Sequence, residues 1–223
     1  KGCELAGCAL LGGETAEMPD VYAPGDFDIA GFAVGVVELE RATDPTRVEK
    51  GDIIIGLASS GVHSNGYSLV RRIVKEGRLK LDKAYKELDA SRTLGEVLLE
   101  PTRIYAKTIV KLLRKYTVKK IVTGMAHITG SGLPGNIPRA FENDLDARID
   151  LKSWTVPSIF DFLQEHGNVE REEMFNVFNM GVGYVLIVRP SFADSILKHL
   201  KRSGEDAFVM GEIVKGGGNV RME

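Results

Sequence analysis

Four short apolar runs constrain the fold of this chain more than any other feature of its sequence. Runs of this length are too short for buried helices, and they are too continuous for strands with one face in water, so they predict buried strands. They lie at residues 52–58, 121–128, 181–188 and 207–214, and a further short strand is predicted at residues 148–151. Helices are predicted at residues 66–76, 94–99, 102–116, 158–166, 170–175 and 191–201. Strands and helices mix without strict alternation, which indicates an α+β (mixed α/β) fold.

The N-terminal segment forms a separate part of the chain. Ala9–Leu11 and the long apolar run Asp28–Leu39 predict two buried strands. The polar, proline-containing segment Arg41–Gly51 follows them. We therefore place a domain boundary near Asp44, which divides residues 1–43 from residues 44–223.

The charge balance excludes several classes of function. The 223 residues carry 29 Lys and Arg against 31 Asp and Glu, a formal net charge of −2. This balance gives no excess of positive charge that would attract nucleic acid or anionic lipid, so small-molecule partners are expected. No apolar run approaches the ~20 residues of a membrane helix and no signal sequence is visible, so a cytoplasmic location is expected. Cys3 and Cys8 lack the second ligand pair of a zinc site.

The first candidate site is the sequence Gly12-Gly13-Glu14-Thr15, which directly follows a predicted strand. Paired glycines let a ligand approach the backbone and leave N–H groups free for anionic oxygens, while Glu14 offers a carboxylate to a metal or an amine. A plain tight turn is the alternative.

The second candidate site is the loop Ser59–Asn65, between a predicted strand and a predicted helix. Its hydroxyls, its backbone N–H groups and the helix N-terminus suit a phosphate or a carboxylate. His63 could donate to an anion or act as an acid or base. In the alternative interpretation, Ser64 or Asn65 only caps the helix.

The third candidate site is His127 with the glycine loop Gly130–Asn136. Its formal G-x-G-x-x-G pattern does not predict a dinucleotide site, because Pro134 and Pro138 interrupt the helix that such a fingerprint needs. A phosphate-handling loop and a purely structural His127 both stay open. No P-loop, serine-hydrolase, zincin or kinase motif occurs, so the residues alone predict an anion- or phosphate-binding enzyme.

Longer motifs at these same segments carry a family resemblance. They are GGETAEMPDVYAPGDFDIAGFAVGVVE, SSGVHSNGYSLVR, LLEPTRIY, AHITGSGLPGNIPR and FNMGVG, and they run in this order through nearly the whole chain. Together they resemble the phosphoribosylformylglycinamidine cyclo-ligase (aminoimidazole ribonucleotide synthetase) family. The resemblance implies an ATP- and Mg²⁺-dependent ring closure of formylglycinamidine ribonucleotide to aminoimidazole ribonucleotide, with release of ADP and phosphate.

The resemblance also implies an incomplete domain organisation. Most of the family's N-terminal ATP-binding domain would precede Lys1, which is not an initiator Met, and residues 1–43 would be the remnant of that domain. The complete chain is expected to be a homodimer. We expect the present chain alone to be inactive, to dimerise weakly and to aggregate through unpaired strand edges.

The resemblance further implies roles for individual residues. His127 and His63 are expected to be hydrogen-bond donors or proton shuttles near the reacting centre. Glu14 is only a partial metal candidate, because most Mg²⁺ ligands would lie upstream. The residues expected to bind substrate or the phosphates of ATP are Gly12, Gly13, Glu14, Thr15, Ser59, Ser60, Gly61, Ser64, Asn65, Gly130, Gly132 and Asn136.

Two kinds of alternative stay open. One is a relative in the same ATP-dependent superfamily: formylglycinamidine ribonucleotide synthetase, selenophosphate synthetase or thiamine-monophosphate kinase. The other is a non-catalytic domain that only binds a phosphorylated ligand. The run GGETAEMP together with SSGVHSNGYS favours the cyclo-ligase.

Overall fold

A computed structural model describes residues 1–116 and 119–223. The described chain divides into two units, Lys1–Ala42 and Thr43–Glu223. None of the helices in these described ranges is long and apolar enough to cross a membrane.

The second unit is built on one six-stranded sheet with the strand order β2-β4-β1-β5-β3-β6. All neighbouring strands are antiparallel except β3 and β6, which are parallel. The strands are β1 (Ile53–Ala58), β2 (Val122–His127), β3 (Leu145–Ile149), β4 (Val182–Val188), β5 (Ala207–Lys215) and β6 (Val220–Met222).

Seven α-helices accompany this sheet in the described part of the second unit. They are α2 (Tyr67–Glu76), α3 (Leu94–Leu98), α4 (Ala106–Lys115), α5 (Gly132–Asn136), α6 (Ser158–Gly167), α7 (Arg171–Val177) and α8 (Ala193–Arg202). Short 3₁₀ turns lie at Pro45–Arg47, Ile137–Ala140 and Pro190–Phe192. The expected mixed α/β fold is confirmed.

Both faces of the sheet are buried, which explains the continuous apolar runs. Ile54 of β1 packs into one core with residues of α2, α6 and α7. The next residue, Ile55, packs into the opposite core with residues of α4 and α8. Since alternate residues of a strand point to opposite faces, a strand covered on both sides has no polar positions in its sequence.

A buried carboxylate fixes the start of β1. Asp52 is 1% exposed, and its carboxylate accepts hydrogen bonds from Thr123 Oγ1 at 2.8 Å and from Arg189 Nη1 at 3.0 Å. Arg189 also pairs with the exposed carboxylate of Glu49 at 2.7 Å. The same guanidinium therefore has one buried and one exposed partner.

The first unit corrects two sequence predictions. It contains helix α1 (Gly2–Ala6) and a 3₁₀ turn at Leu39–Arg41, and neither Ala9–Leu11 nor Asp28–Leu39 forms a strand. The apolar side chains of the second segment are exposed, Phe32 by 94% and Val36 by 100%. A strand is stable only when its backbone pairs with a neighbouring strand, and no strand of the described ranges pairs with this segment.

Three boundaries in the second unit also differ from the sequence predictions. The strand predicted at residues 148–151 is β3, which begins earlier, at Leu145. The helix predicted from Thr102 begins at Ala106. The predicted glycine loop at residues 130–136 contains the short helix α5, since Gly132 adopts the positive φ of 53° that lets the chain turn there.

Candidate functional site

Strand order brings the two predicted histidines to one end of the sheet. Strand β4 lies between β1 and β2 and is antiparallel to both, so the ends of β1 and β2 lie beside its first residues. His127 is the last residue of β2, and His63 lies in the loop after β1. Their rings flank the ring of Tyr105, with centroid distances of 6.1 Å for His127 and 6.4 Å for His63.

Tyr105 is the fixed centre of this group. Its ring is 4% exposed, and its hydroxyl donates to the carbonyl of Ala58 at 2.8 Å. Burial raises the pKa of the Tyr105 hydroxyl far above its usual range. The side chain is therefore neutral and acts as a hydrogen-bond donor that holds the end of β1.

A glycine makes room for the aromatic group. A Cβ atom on Gly183 would lie 2.1 Å from Tyr105 Oη and 2.7 Å from His63 Cε1. Both distances are far below van der Waals contact, so this packing requires glycine at the start of β4. Tyr105 and Gly183 were not among the predicted site residues, although each lies within a motif that carries the family resemblance.

His63 is buried and held as a neutral ring. It is 5% exposed and has a positive φ of 61°. Its Nε2 accepts from the backbone N–H of Ser60 at 3.1 Å and from that of Arg103 at 3.4 Å. Desolvation first, and then the charges of His127 and Arg103, lower its pKa to about 4. Its Nδ1 is buried and has no hydrogen-bond partner among the described residues.

His127 lies in a more open environment. It is exposed at the end of β2, and partial desolvation lowers its pKa. Tyr184, its partner across the β2–β4 pair, lies 6.0 Å away between ring centroids. Of the two histidines, His127 is the one that water reaches.

The hydroxyls of the loop after β1 are used within the protein. Ser59 Oγ donates to Asn179 Oδ1 at 2.8 Å, and Ser60 Oγ donates to the carbonyl of Pro101 at 2.7 Å. Ser64 Oγ lies 2.8 Å from Thr102 Oγ1. Gly61, which has a φ of 144°, is buried in the same loop. The ligand-binding roles of these residues stay predictions.

The start of helix α2 differs from the sequence prediction. Its N-cap is Gly66, with a φ of 82° and no side-chain cap, so neither Ser64 nor Asn65 caps the helix. A Cβ atom on Gly66 would lie 2.4 Å from Phe178 Cε1. The tight packing against Phe178 and the positive φ both require glycine at this position.

The second glycine loop lies beside the first. A Cβ atom on Gly130 would lie 3.7 Å from Asn65 Oδ1. Asn136 is buried, and its Nδ2 donates to the carbonyls of Gly130 at 2.9 Å and Gly132 at 2.7 Å. The Asn136 amide thus stabilises the loop from inside, and its contact with a ligand stays a prediction.

An open cleft of about 620 Å³ begins at His63 and runs along the first turns of α2. Arg71 projects from α2 on its wall, and Glu100 and Thr102 lie on the wall formed after α3. The helix N-terminus and the Arg71 guanidinium both favour an anion here. Arg71 was missed by the sequence reasoning, because the spacing of one arginine within a helix carries no signal of a cleft.

Gly12, Gly13, Glu14 and Thr15 belong to the first unit, where all four are exposed. Across residues 1–116 and 119–223, no group of three or more His, Cys, Asp or Glu side chains could hold a metal ion. The described residues therefore do not fit a magnesium site by themselves. Glu14 stays a predicted single ligand.

Comparison with known proteins assigns this arrangement to a family. Residues 49–223 match the family model described as AIR synthase related protein, C-terminal domain. The chain belongs to this family. Its AIR synthase-related domain contains both histidines, both loops of the second unit and the cleft.

Two similar curated proteins carry the same name. The chain is 54% identical to a phosphoribosylformylglycinamidine cyclo-ligase of Geobacillus kaustophilus over 218 residues, which are 97% of this chain and 61% of the relative. It is 49% identical to the cyclo-ligase of Bacillus cereus strain Q1 over 219 residues, 98% of this chain and 62% of that relative. The chain thus spans about three fifths of the length of these AIR synthase-related proteins.

Solved structures of low sequence identity share the fold. A thiamine-monophosphate kinase from Stenotrophomonas maltophilia K279a superposes with a TM-score of 0.55 at 16% identity, covering 84% of this chain and 54% of that chain. HypE of E. coli gives a TM-score of 0.50 at 19% identity, covering 81% and 48%. At such low sequence identities, the similarity shows only that these proteins share a fold with the AIR synthase-related chain.

Proposed function

We propose that this chain supplies the C-terminal domain of a phosphoribosylformylglycinamidine cyclo-ligase. The proposed reaction is the ATP-dependent closure of formylglycinamidine ribonucleotide to aminoimidazole ribonucleotide, a carbon–nitrogen ligation of purine biosynthesis. The observation that carries the proposal is the 54% identity to a cyclo-ligase over 97% of this chain. The similarity to thiamine-monophosphate kinase, at 16% identity, supports no second function.

The chemistry requires activation of a poor leaving group. In the proposed reaction the formyl oxygen receives the γ-phosphoryl group of ATP, the amidine nitrogen attacks the formyl carbon, and phosphate leaves with that oxygen. Such a reaction depends on positioning and on charge neutralisation rather than on a protein nucleophile.

The geometry supports a division of roles between the two histidines. The Nδ1 of His63 is buried without a hydrogen-bond partner among the residues that the structure describes, and we assign it to donate a hydrogen bond to the substrate. His127 is exposed, and we assign it to exchange a proton with the reacting nitrogen. Arg71 and the N-terminus of α2 are assigned to the ribonucleotide phosphate.

The remaining parts of the proposal concern the complete enzyme. Residues 1–43 are proposed as part of an ATP-binding domain, with Gly12–Thr15 beside the phosphates. The complete enzyme is proposed to be a cytoplasmic homodimer that uses Mg²⁺. The described residues do not fit a magnesium site, so no step is assigned to the metal here.

A chimera tests the proposed function. This chain would be joined to the part of the Geobacillus kaustophilus relative that it does not cover, and ADP release and aminoimidazole ribonucleotide formation would be measured. The expected result is product from the chimera and none from the chain alone. The matched control replaces this chain with the corresponding part of the relative itself. An active control beside an inactive chimera that binds formylglycinamidine ribonucleotide but releases no ADP would contradict the proposal.

A further inference from the structure

A buried asparagine organises the loop that carries His63. Asn179 lies after helix α7 and is 4% exposed. Its Nδ2 donates to the carbonyls of Gly61 at 2.8 Å and Val62 at 3.2 Å. Its Oδ1 accepts from Ser59 Oγ and from the backbone N–H of Gly181, both at 2.8 Å. The amide thus uses both donor hydrogens and two acceptor positions at once.

These bonds hold Ser59, Gly61 and Val62, three of the four residues that precede His63 along the chain. The backbone of His63 has a positive φ of 61°, a conformation that a non-glycine residue keeps only when its surroundings enforce it. With the carbonyls of Gly61 and Val62 held by Asn179, the loop turns so that the imidazole faces the N–H groups of Ser60 and Arg103.

Two backbone donors on one ring nitrogen determine where the proton lies. Nε2 must offer its lone pair to the N–H groups of Ser60 and Arg103, so it carries no hydrogen. The single proton of the neutral ring then lies on Nδ1, which is buried without a partner among the described residues. An unmet donor in such a position is costly unless a ligand accepts from it.

We propose that Asn179 is a positioning residue that holds His63 as the neutral tautomer protonated on Nδ1, so that His63 donates a hydrogen bond to the ligand and does not act as a general base. The charged and polar groups around the ring agree with this assignment. Arg103 and His127 lie close enough to disfavour a positive charge on the ring, and Tyr105 stands 6.4 Å away between ring centroids. The part of the inference that concerns turnover rests on the proposed function, whereas the tautomer does not.

Nitrogen NMR of the ligand-free chain tests the tautomer directly. The ¹⁵N shifts of the His63 ring would be recorded between pH 5.5 and 8 and assigned by loss of the signals in a His63→Gln variant. We expect a protonated Nδ1 and an unprotonated Nε2 throughout this range. A proton on Nε2, or an imidazolium at pH 7, would overturn the proposal, and neither result depends on which reaction the enzyme catalyses.

A pair of matched variants tests the role of Asn179. Asn179→Ala removes the buried amide that holds the His63 loop, and Asn136→Ala removes the buried amide that holds the second glycine loop. In N179A we expect both tautomers of the neutral ring to be populated and an imidazolium fraction to be visible already at pH 5.5, because the His63 pKa rises from about 4 toward the ordinary value near ~6.5. In N136A the His63 tautomer stays as in the parent chain. A folded N179A protein with unchanged His63 shifts would refute the positioning role.

Turnover of the chimera supplies a separate readout. If His63 donates to the substrate from a fixed ring, N179A lowers kcat at least tenfold while the KM for ATP changes less than threefold. An unchanged kcat together with an altered tautomer would refute the link between His63 and catalysis. The assignment of the proton to Nδ1 would then still stand on the NMR result.

Discussion

Replacing Gly183 with alanine would place a methyl group where Tyr105 and His63 pack most closely against β4. The new Cβ atom would lie 2.1 Å from Tyr105 Oη and 2.7 Å from His63 Cε1, and both side chains are at least nine-tenths buried. Overpacking of this kind costs about 1–3 kcal/mol. If the Tyr105 hydroxyl moves away, the carbonyl of Ala58 loses its partner, which costs about 1–3 kcal/mol more. We therefore expect G183A to lower the free energy of unfolding by about 3 kcal/mol.

A double-mutant cycle with Tyr105→Phe distinguishes destabilisation by this clash from a general destabilisation of strand β4. Y105F alone removes the hydrogen bond to Ala58 and costs about 1–2 kcal/mol. It also removes the atom nearest to the new methyl group. The double variant should therefore be at least about 1 kcal/mol more stable than the two single effects would give by addition.

Urea unfolding followed by tryptophan fluorescence measures these effects. The chain has one tryptophan, Trp154, which stacks on Phe208 and donates to the carbonyl of Met180 at 2.9 Å, so its signal reports on the second unit. Gly130→Ala is the control, because the nearest atom to its Cβ lies 3.7 Å away, and we expect a change below about 0.5 kcal/mol. Additive effects of G183A and Y105F would show that Gly183 does not make room for Tyr105.

Three further predictions concern charged and titratable side chains. Arg71→Gln should raise the KM of the chimera for formylglycinamidine ribonucleotide by about tenfold or more, because a charge-assisted hydrogen bond is lost. Arg72→Gln, which lies outside the cleft lining, should leave this KM unchanged. Asp52→Asn should lower the free energy of unfolding in urea by about 2–4 kcal/mol, because it removes a buried charged partner of Arg189. Glu49→Gln, at the exposed side of the same arginine, should lower it by at most about 1 kcal/mol. Equal losses in the two variants would contradict the burial argument. His63 is neutral in the folded chain and its pKa is lowered to about 4, so the unfolded chain binds a proton at higher pH than the folded chain does. The free energy of unfolding should therefore fall as pH drops from ~6.5 toward that value, and His63→Gln should make this pH dependence shallower. An equally steep pH dependence in the variant would refute the assignment to His63.

Much of the second unit could be predicted from the sequence because local patterns there agree with the tertiary packing. The runs at residues 52–58 and 181–188 are apolar because both faces of the sheet are covered, and they form β1 and β4. The run Asp28–Leu39 is similarly apolar but forms no strand. A strand depends on a backbone partner that is distant in sequence, and composition does not reveal whether that partner is present.

Only part of the candidate site could be predicted from the sequence, because some of its residues are defined by contacts that are distant in sequence. His63 and His127 were singled out because they lie in polar loops at strand ends, and the strand order brings them to the same ring of Tyr105. The functions of Asn179 and Gly183 depend on contacts across 118 positions of sequence, from Asn179 to Gly61, and across 78 positions, from Gly183 to Tyr105. Neither residue type has a local pattern that reveals such a contact.

The strand order also has a consequence for biosynthesis of the chain. The central strand β1 ends at Ala58, but its neighbours β4 and β5 begin at Val182 and Ala207, more than 120 residues later. At a translation rate of about 5–20 residues per second, the synthesis of β1 ends roughly 6–25 s before the synthesis of either neighbour begins. During this interval Ile54 and Ile55 lie on a strand with two open edges. We therefore expect the nascent chain to bind holding chaperones until β4 and β5 have been synthesised.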